Sequence, residues 1–337
     1  MTAESAPNVC VALEIDGAQL ERVRRACAAA RVVQLSAEAR RLLREGAVID
    51  GPGRPELDAA LAEAEVLFSW ARLPADLPER APRLRWVQVA SAGVDPMLKA
   101  GLLGRGYTVT NASGLHATPI AEFCALAMLT FAKGLQRTMR SQVKHEWSRF
   151  MPSELRGATC GILGLGAIGH ETARLAKAFG MRVLATRRHP HGAPPPHVDA
   201  AYGPDGTDTV MAEADYVVLA VPLTPETRHL VDARRLALMK RTAVLVNIAR
   251  GAVVDEPALV AALRDGRIAG AYLDVFAQEP LPADHPFWDM ENVVVSPHIS
   301  GGVPDYLARA TSIFVDNLAR YCAGQPLANV VNPALGY

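Results

Sequence analysis

The stretch CGILGLGAIGH, residues 160–170, decides how this chain is read. Gly164, Gly166 and Gly169 form a GxGxxG pattern, with Leu165, Ala167 and Ile168 between them. Residues 158–163 read as a short buried strand. Residues 167–179 carry apolar or small side chains at helical spacing. Strand, glycine turn and helix therefore come in the order a dinucleotide site needs. The first glycine permits the tight turn, and the second lets the backbone approach a pyrophosphate. The third lets helix pack on strand, while free N–H groups at the helix start face the phosphates.

Downstream of this stretch, strands and helices alternate. Strands are expected at 158–163, 181–186, 216–220, 243–247, 269–274 and 293–296, with helices starting near Ala167, Thr207, Asp232 and Asp255. Six strands with crossover helices make a parallel, doubly wound sheet. An NAD site places an acid at the end of the second strand, about 20 residues past the glycines. Here that strand ends in Thr186, Arg187 and Arg188. A guanidinium binds a ribose 2′-phosphate with charge-assisted hydrogen bonds, and the threonine adds a hydroxyl. NADP(H) is therefore expected over NAD(H), with use of either cofactor as the alternative. His189, His191 and His197 follow in a proline-rich loop with no acidic or cysteine partner in fixed register, so no metal site is expected.

Upstream, the first hundred residues read as a smaller α/β domain without a glycine fingerprint. Strands are expected at 9–15, 31–35, 66–70 and 84–90, and a helix at 18–30. Residues 73–82 hold three prolines and at most a helical turn. Ser91, Ala92 and Gly93 follow a strand directly and lead into a short helix, an arrangement whose backbone N–H groups can hold a carboxylate. Residues 117–142 read as one long helix crossing to the second domain, apolar nearly all round. Residues 303–322 read as a last helix that returns to the first domain. The expected division is 1–112 with 303–337, and 113–302. Trp147 reads either as a lid on a pocket or as interface packing, and for Arg72, beyond a strand end, contact with a substrate's far end is the less favoured reading.

The totals exclude several classes. The 337 residues carry 35 basic and 35 acidic side chains, and half of the residues are hydrophobic. Nothing suggests a nucleic-acid surface, an acidic tail or a membrane span. Five scattered cysteines without a CxxC pair suit reduced thiols, and the amino terminus lacks a secretory pattern. A cytoplasmic protein is expected.

Three segments place unusual polar residues at or beyond strand ends: Asn247, Ile248, Ala249, Arg250 and Gly251; then 273–280 with Asp274 and Glu279; then 296–302 with His298, Ser300 and Gly301. In open α/β sheets that edge holds the ligand. Arginine binds a carboxylate, histidine moves a proton, and glutamate holds that histidine and favours its imidazolium.

With the SAGVD turn, GLGAIG, VPLTPET (221–227), NIARGAVVDEPAL, GAYLDVFAQEPLP and SPHISGG, nearly the whole chain resembles the D-isomer-specific 2-hydroxyacid dehydrogenases. The arginines after the second strand and LRWVQVASAGVD look most like the NADPH-dependent glyoxylate/hydroxypyruvate reductases. The resemblance implies two Rossmann-like or flavodoxin-like α/β domains with parallel sheets and an active site in the cleft between them. It makes Arg250, Glu279 and His298 the catalytic set. It puts Asp274 on the nicotinamide amide, and Ser91, Ala92 and Gly93 on the substrate carboxylate. It adds Val221, Pro222, Thr227, Ile248, Ala249, Ser300 and Gly301 to the cofactor contacts. It also implies a homodimer acting on a small 2-oxo or 2-hydroxy acid. The alternatives are a bulkier 2-oxo acid, formate or 3-phosphoglycerate oxidation, and a cofactor-sensing corepressor-like binding protein. Glu279 stands where the formate enzymes carry glutamine, and the chain is short for the regulatory domain that many phosphoglycerate enzymes add.

Overall fold

The computed structural model describes residues 6–45, 53–189 and 192–334. His191 therefore lies outside the described residues. The chain divides into two compact units, Met1–Leu115 with Val303–Tyr337, and His116–Gly302.

The first unit is built on five parallel strands: β1 (Asn8–Val11), β2 (Arg31–Gln34), β3 (Val66–Ser69), β4 (Trp86–Val89) and β5 (Thr108–Thr110), in the order β2-β1-β3-β4-β5. Strands β3 and β4 are buried along their whole length. Both faces are covered, which is why VLFS and WVQV are nearly continuous apolar runs rather than alternating ones. The helix Gly17–Ala26 starts with a capping box between Asp16 and Gln19. The last helix, Tyr306–Cys322, belongs to this unit, where Phe314 stacks on Phe68 and packs beside Trp86. A buried polar chain fixes it. The Trp86 indole N–H donates to the Thr110 hydroxyl, which donates to the Gln88 amide oxygen, and Asn317 donates to the same oxygen. Every partner is satisfied from within, so the burial of these groups is compensated.

Two expectations for this unit need correction. Cys27 and Cys322 are joined in a disulfide, so they are not reduced thiols; Cys10, Cys124 and Cys160 are free and buried. The 295-residue separation hides this pair from any reading of spacing. It arises because the helices ending at Ala26 and Cys322 pack together. Strand β5 and the helices Ala37–Glu45 and Arg54–Glu63 are additional to the expected elements.

The second unit carries seven parallel strands: β6 (Thr159–Leu163), β7 (Arg182–Thr186), β8 (Ala200–Tyr202), β9 (Tyr216–Leu219), β10 (Val244–Asn247), β11 (Gly270–Leu273) and β12 (Val293–Val295). Their order is β12-β11-β10-β9-β6-β7-β8. One strand, β8, is additional to the six expected. The winding reverses between β6 and β9, so this sheet has its topological switch point just where the glycine turn follows β6. The long helix is also corrected. It runs Ala117–Ala132, breaks at Gly134 with φ +63°, and resumes as Leu135–Val143, bent by 65°. A left-handed glycine ends the helical ladder there at no side-chain cost. Among the described residues no single helix is long and apolar enough to cross a membrane, although this bent pair passes by length and composition.

Candidate functional site

The glycine turn is built as its three positions require. Gly164 has φ +102°, and a Cβ there would meet the Ala220 carbonyl oxygen at 2.6 Å. Gly169 lies against the Gly164 carbonyl, so a side chain there would push the helix Ala167–Ala178 off β6. Gly166 is different: a Cβ would meet no protein atom within 4 Å. The two outer glycines serve the fold, and the middle one opens onto space beside the N–H groups of Ala167 and Ile168 at a helix start. That opening fits a dinucleotide pyrophosphate.

At the end of β7, Thr186 is buried, Arg187 half-buried and Arg188 exposed. The Arg187 N–H donates to the Tyr202 carbonyl, which places its backbone in register with β8. Glu226 has its carboxyl held below the usual range, first by the Thr224 hydroxyl and in smaller part by the charge of Arg188. Glu226 lies in the loop after β9, near enough to Arg188 for its charge to act. Within that loop Thr227 donates through its hydroxyl to the Pro222 carbonyl and accepts from the Thr224 N–H, which shapes the segment containing Val221.

The segments after β10, β11 and β12 come together on the same sheet edge. Nδ1 of His298 lies 2.8 Å from Glu279 Oε2, while Glu279 Oε1 accepts from the Phe276 N–H at 3.0 Å. A carboxylate only accepts, so the proton on this nitrogen points at Glu279, and Nε2 is the ring atom left for chemistry. His298 has φ +55°, a sparsely populated conformation for a residue that carries a Cβ. Asp274 sustains it. This fully buried carboxylate accepts from the Ser296 hydroxyl at 2.6 Å, the Ile299 N–H at 2.9 Å and the Ser300 N–H at 3.0 Å. Arg250 is half-buried and donates to the Ala249 carbonyl at 2.7 Å. Asn247 holds its turn from both sides, accepting from the Ala249 N–H and donating to the Arg250 carbonyl. Gly251 presses on the backbone of Phe276, so only glycine lets the loops after β10 and β11 approach so closely.

In the other unit, Ser91, Ala92 and Gly93 are half-buried beyond β4. Their carbonyl and hydroxyl groups are engaged: Ala112 donates to the Ser91 carbonyl, Asn111 to the Ala92 carbonyl, and the Ser91 hydroxyl to the Gly93 carbonyl. Among the described residues their three N–H groups donate to no protein acceptor. A rigid turn with bare donors is what an incoming carboxylate needs.

Residues 125–300 match the sequence profile of "D-isomer specific 2-hydroxyacid dehydrogenase, NAD binding domain". The chain is 37% identical over 83% of its length to the glyoxylate/hydroxypyruvate reductase B of Yersinia pestis (strain Pestoides F), covering 87% of that protein. It is 34% identical over 85% of its length to the D-3-phosphoglycerate dehydrogenase of Methanocaldococcus jannaschii, of which it spans 55%. Its fold matches the crystal structure of a D-isomer specific 2-hydroxyacid dehydrogenase from Xanthobacter autotrophicus Py2 in complex with NADPH and MES. The TM-score is 0.81 at 32% identity, covering 99% of this chain and all of that one. The chain belongs to the D-isomer-specific 2-hydroxyacid dehydrogenase family. It is thus an NAD(P)-dependent oxidoreductase of two α/β units with parallel sheets, one of them a Rossmann-like cofactor unit.

Asn247 is legible only as a polar residue of the segment after β10, and its part in holding the turn is not. One residue of this dehydrogenase site escapes sequence reading. His116, at the start of the helix Ala117–Ala132, lies with its ring against Gly301. Burial, and then the nearby charge of Arg250, press its pKa below the ordinary histidine value. Only its position ahead of a helix start hints at a role. Asp255, by contrast, acts as a helix cap, accepting from the Ala258 N–H.

Proposed function

We propose that the protein reduces a 2-oxo acid of the glyoxylate or hydroxypyruvate type to the D-2-hydroxy acid, with NADPH preferred over NADH. The observation that carries this reading is the His298–Glu279 pair, 2.8 Å apart, beside the Arg250 turn and on the sheet edge of a dinucleotide cradle.

A bound nicotinamide dinucleotide supplies the hydride. The chain's own groups do the rest. The N–H groups of Ser91, Ala92 and Gly93 take the substrate carboxylate. Arg250 polarises the ketone oxygen and stabilises the charge that develops on it. His298, charged and held by Glu279, gives a proton to that oxygen; in the reverse direction its neutral form takes the proton back. Asp274 holds the His298 loop, and Oδ2, with one bond to Ser300, keeps acceptor capacity for the nicotinamide amide. Arg187, Arg188 and Thr186 bind the 2′-phosphate. Val221, Pro222, Thr227, Ile248, Ala249, Ser300 and Gly301 line the cofactor's path. A second copy of this chain is the partner that covers the exposed apolar side chains Met139, Val143, Trp147 and Met151, the last two each 93% accessible.

Initial rates of NADPH and NADH oxidation with glyoxylate, hydroxypyruvate, pyruvate and phenylpyruvate test the reading. NADPH turnover with the two small acids is expected. Preference for phenylpyruvate moves the substrate to bulky acids, and absence of turnover with every pair overturns the proposal.

A further inference from the structure

The unit that carries the Ser91 turn also holds a cavity of about 300 Å³. It opens at the carboxyl ends of β1 and β3, between the segments 12–14 and 69–73 and the helix Ala37–Glu45. Leu13, Trp70, Leu73 and Leu307 make an apolar wall, and four arginines, Arg40, Arg41, Arg44 and Arg72, share the lining with a single carboxylate, Glu14. Two of the four are committed elsewhere. Arg40 donates to the Leu35 carbonyl at 2.7 Å and lies 3.7 Å from Glu14, and Arg41 pairs with Glu38 and Glu45. Arg44 and Arg72 have no hydrogen bond or ion pair with any other described residue. Both guanidinium groups are exposed and line one cavity, so an anion entering it meets charged donors that need give up no protein partner.

The cavity and the Ser91 turn stand on one edge of one sheet. β4 pairs with β3 and β3 with β1, and the Ala90 N–H donates to the Ser69 carbonyl one residue before Trp70. Two strand spacings, about 10 Å in all, separate the turn from the loop beyond β1. A 2-oxo acid of four or five carbons, met by a long arginine side chain, spans that distance.

We propose that this cavity is an anion subsite, and that the enzyme favours 2-oxo acids bearing a second carboxylate or a phosphate at the far end of the chain. The apolar wall takes the methylene groups, and Arg44 and Arg72 take the far anion. This inference rests on the reading of the protein as a 2-oxo acid reductase.

The test compares matched substrates with saturating NADPH: 2-oxoglutarate against 2-oxohexanoate for the carboxylate, and phosphohydroxypyruvate against hydroxypyruvate for the phosphate. A charged pair of this kind gives about a tenfold or larger advantage in kcat/KM to the anionic acid in at least one arm, and the larger advantage names the group. The double variant Arg44→Gln with Arg72→Gln, shown folded by its thermal melt, loses most of that preference through KM, and Arg72→Lys alone retains part of it. Equal rates for charged and neutral acids in both arms, or an undiminished preference in the double variant, overturn the subsite. A readout without turnover separates the two proposals. Glutarate, which has no keto group, changes the fluorescence of Trp70, and the change disappears in Trp70→Phe and in the double variant. If no 2-oxo acid is reduced, the reductase reading falls and the glutarate titration alone decides the subsite: a saturable change supports it, and none overturns it.

Discussion

The seven-strand sheet and the five-strand sheet are both parallel, and both present loops at the carboxyl ends of their strands. What those loops carry differs. Beyond β6 the cofactor unit has three glycines, two of which serve backbone packing and one an opening. Beyond β4 the other unit has a turn with bare N–H groups, and beyond β1 and β3 it has arginines and a tryptophan. One architecture thus presents a glycine turn beyond a strand of one sheet and a turn with bare N–H donors beyond a strand of the other. Function follows the loop residues rather than the sheet.

The sharpest way to break this comparison is inside the glycine turn. Gly169→Ala puts a methyl group against the Gly164 carbonyl and 3.3 Å from Ile162 Cγ2, so backbone must move. Such overpacking costs about 1–3 kcal/mol, and a loss of several degrees in Tm together with at least a tenfold loss of cofactor affinity is expected. Gly166→Ala meets nothing in the protein. Its Tm stays near that of the parent while cofactor affinity falls about tenfold, because the added methyl group occupies the pyrophosphate's approach. Thermal melts and cofactor titrations of both variants check this. Equal Tm losses would show that Gly166 also serves packing.

A smaller effect separates the end of β7 from an acid-tipped strand. Under the proposed reading Arg187 meets the 2′-phosphate, and Arg187→Asp puts a repelling charge there. The ratio of NADPH to NADH in kcat/KM is expected to fall by about tenfold or more. An unchanged ratio removes Arg187 from the cofactor site.

The smallest effect concerns the cysteines. Burial pushes the thiols of Cys10 and Cys124 up to about 12, and that of Cys160 higher still. Thiolate is the reactive form, so a thiol reagent at neutral pH is expected to label none of these three in the native protein. Denaturation without reductant exposes three thiols and reduction exposes five, since Cys27 and Cys322 are paired. A count of five before reduction contradicts the disulfide.

These contrasts also mark how far sequence alone reaches. The glycine turn was legible because Gly164 and Gly169 answer packing constraints of the protein's own backbone, and Gly166 completes the pattern between a strand and a helix. The placement of Arg250, Glu279 and His298 beyond strand ends was legible because each follows an apolar strand, and the family motifs surround them. Strands β5 and β8, three residues each, are too short for any periodicity to emerge. The break at Gly134 reads as a tolerated glycine until its positive φ is seen. The pairing of Cys27 with Cys322, the contact of His116 with Gly301 and the gathering of Arg44 with Arg72 all depend on long-range packing, which local pattern does not encode.

The central claim is that His298, held by Glu279, moves the proton that accompanies reduction. The direct measurement is the pH dependence of turnover in both directions, in the wild-type protein and in His298→Ala. The reduction needs the protonated ring and the oxidation the neutral one. The forward rate is therefore expected to fall and the reverse rate to rise as pH increases. In His298→Ala both rates drop by about 100-fold or more and the opposed slopes vanish. Opposed slopes that persist in the variant, or turnover near that of the wild type, would contradict the account.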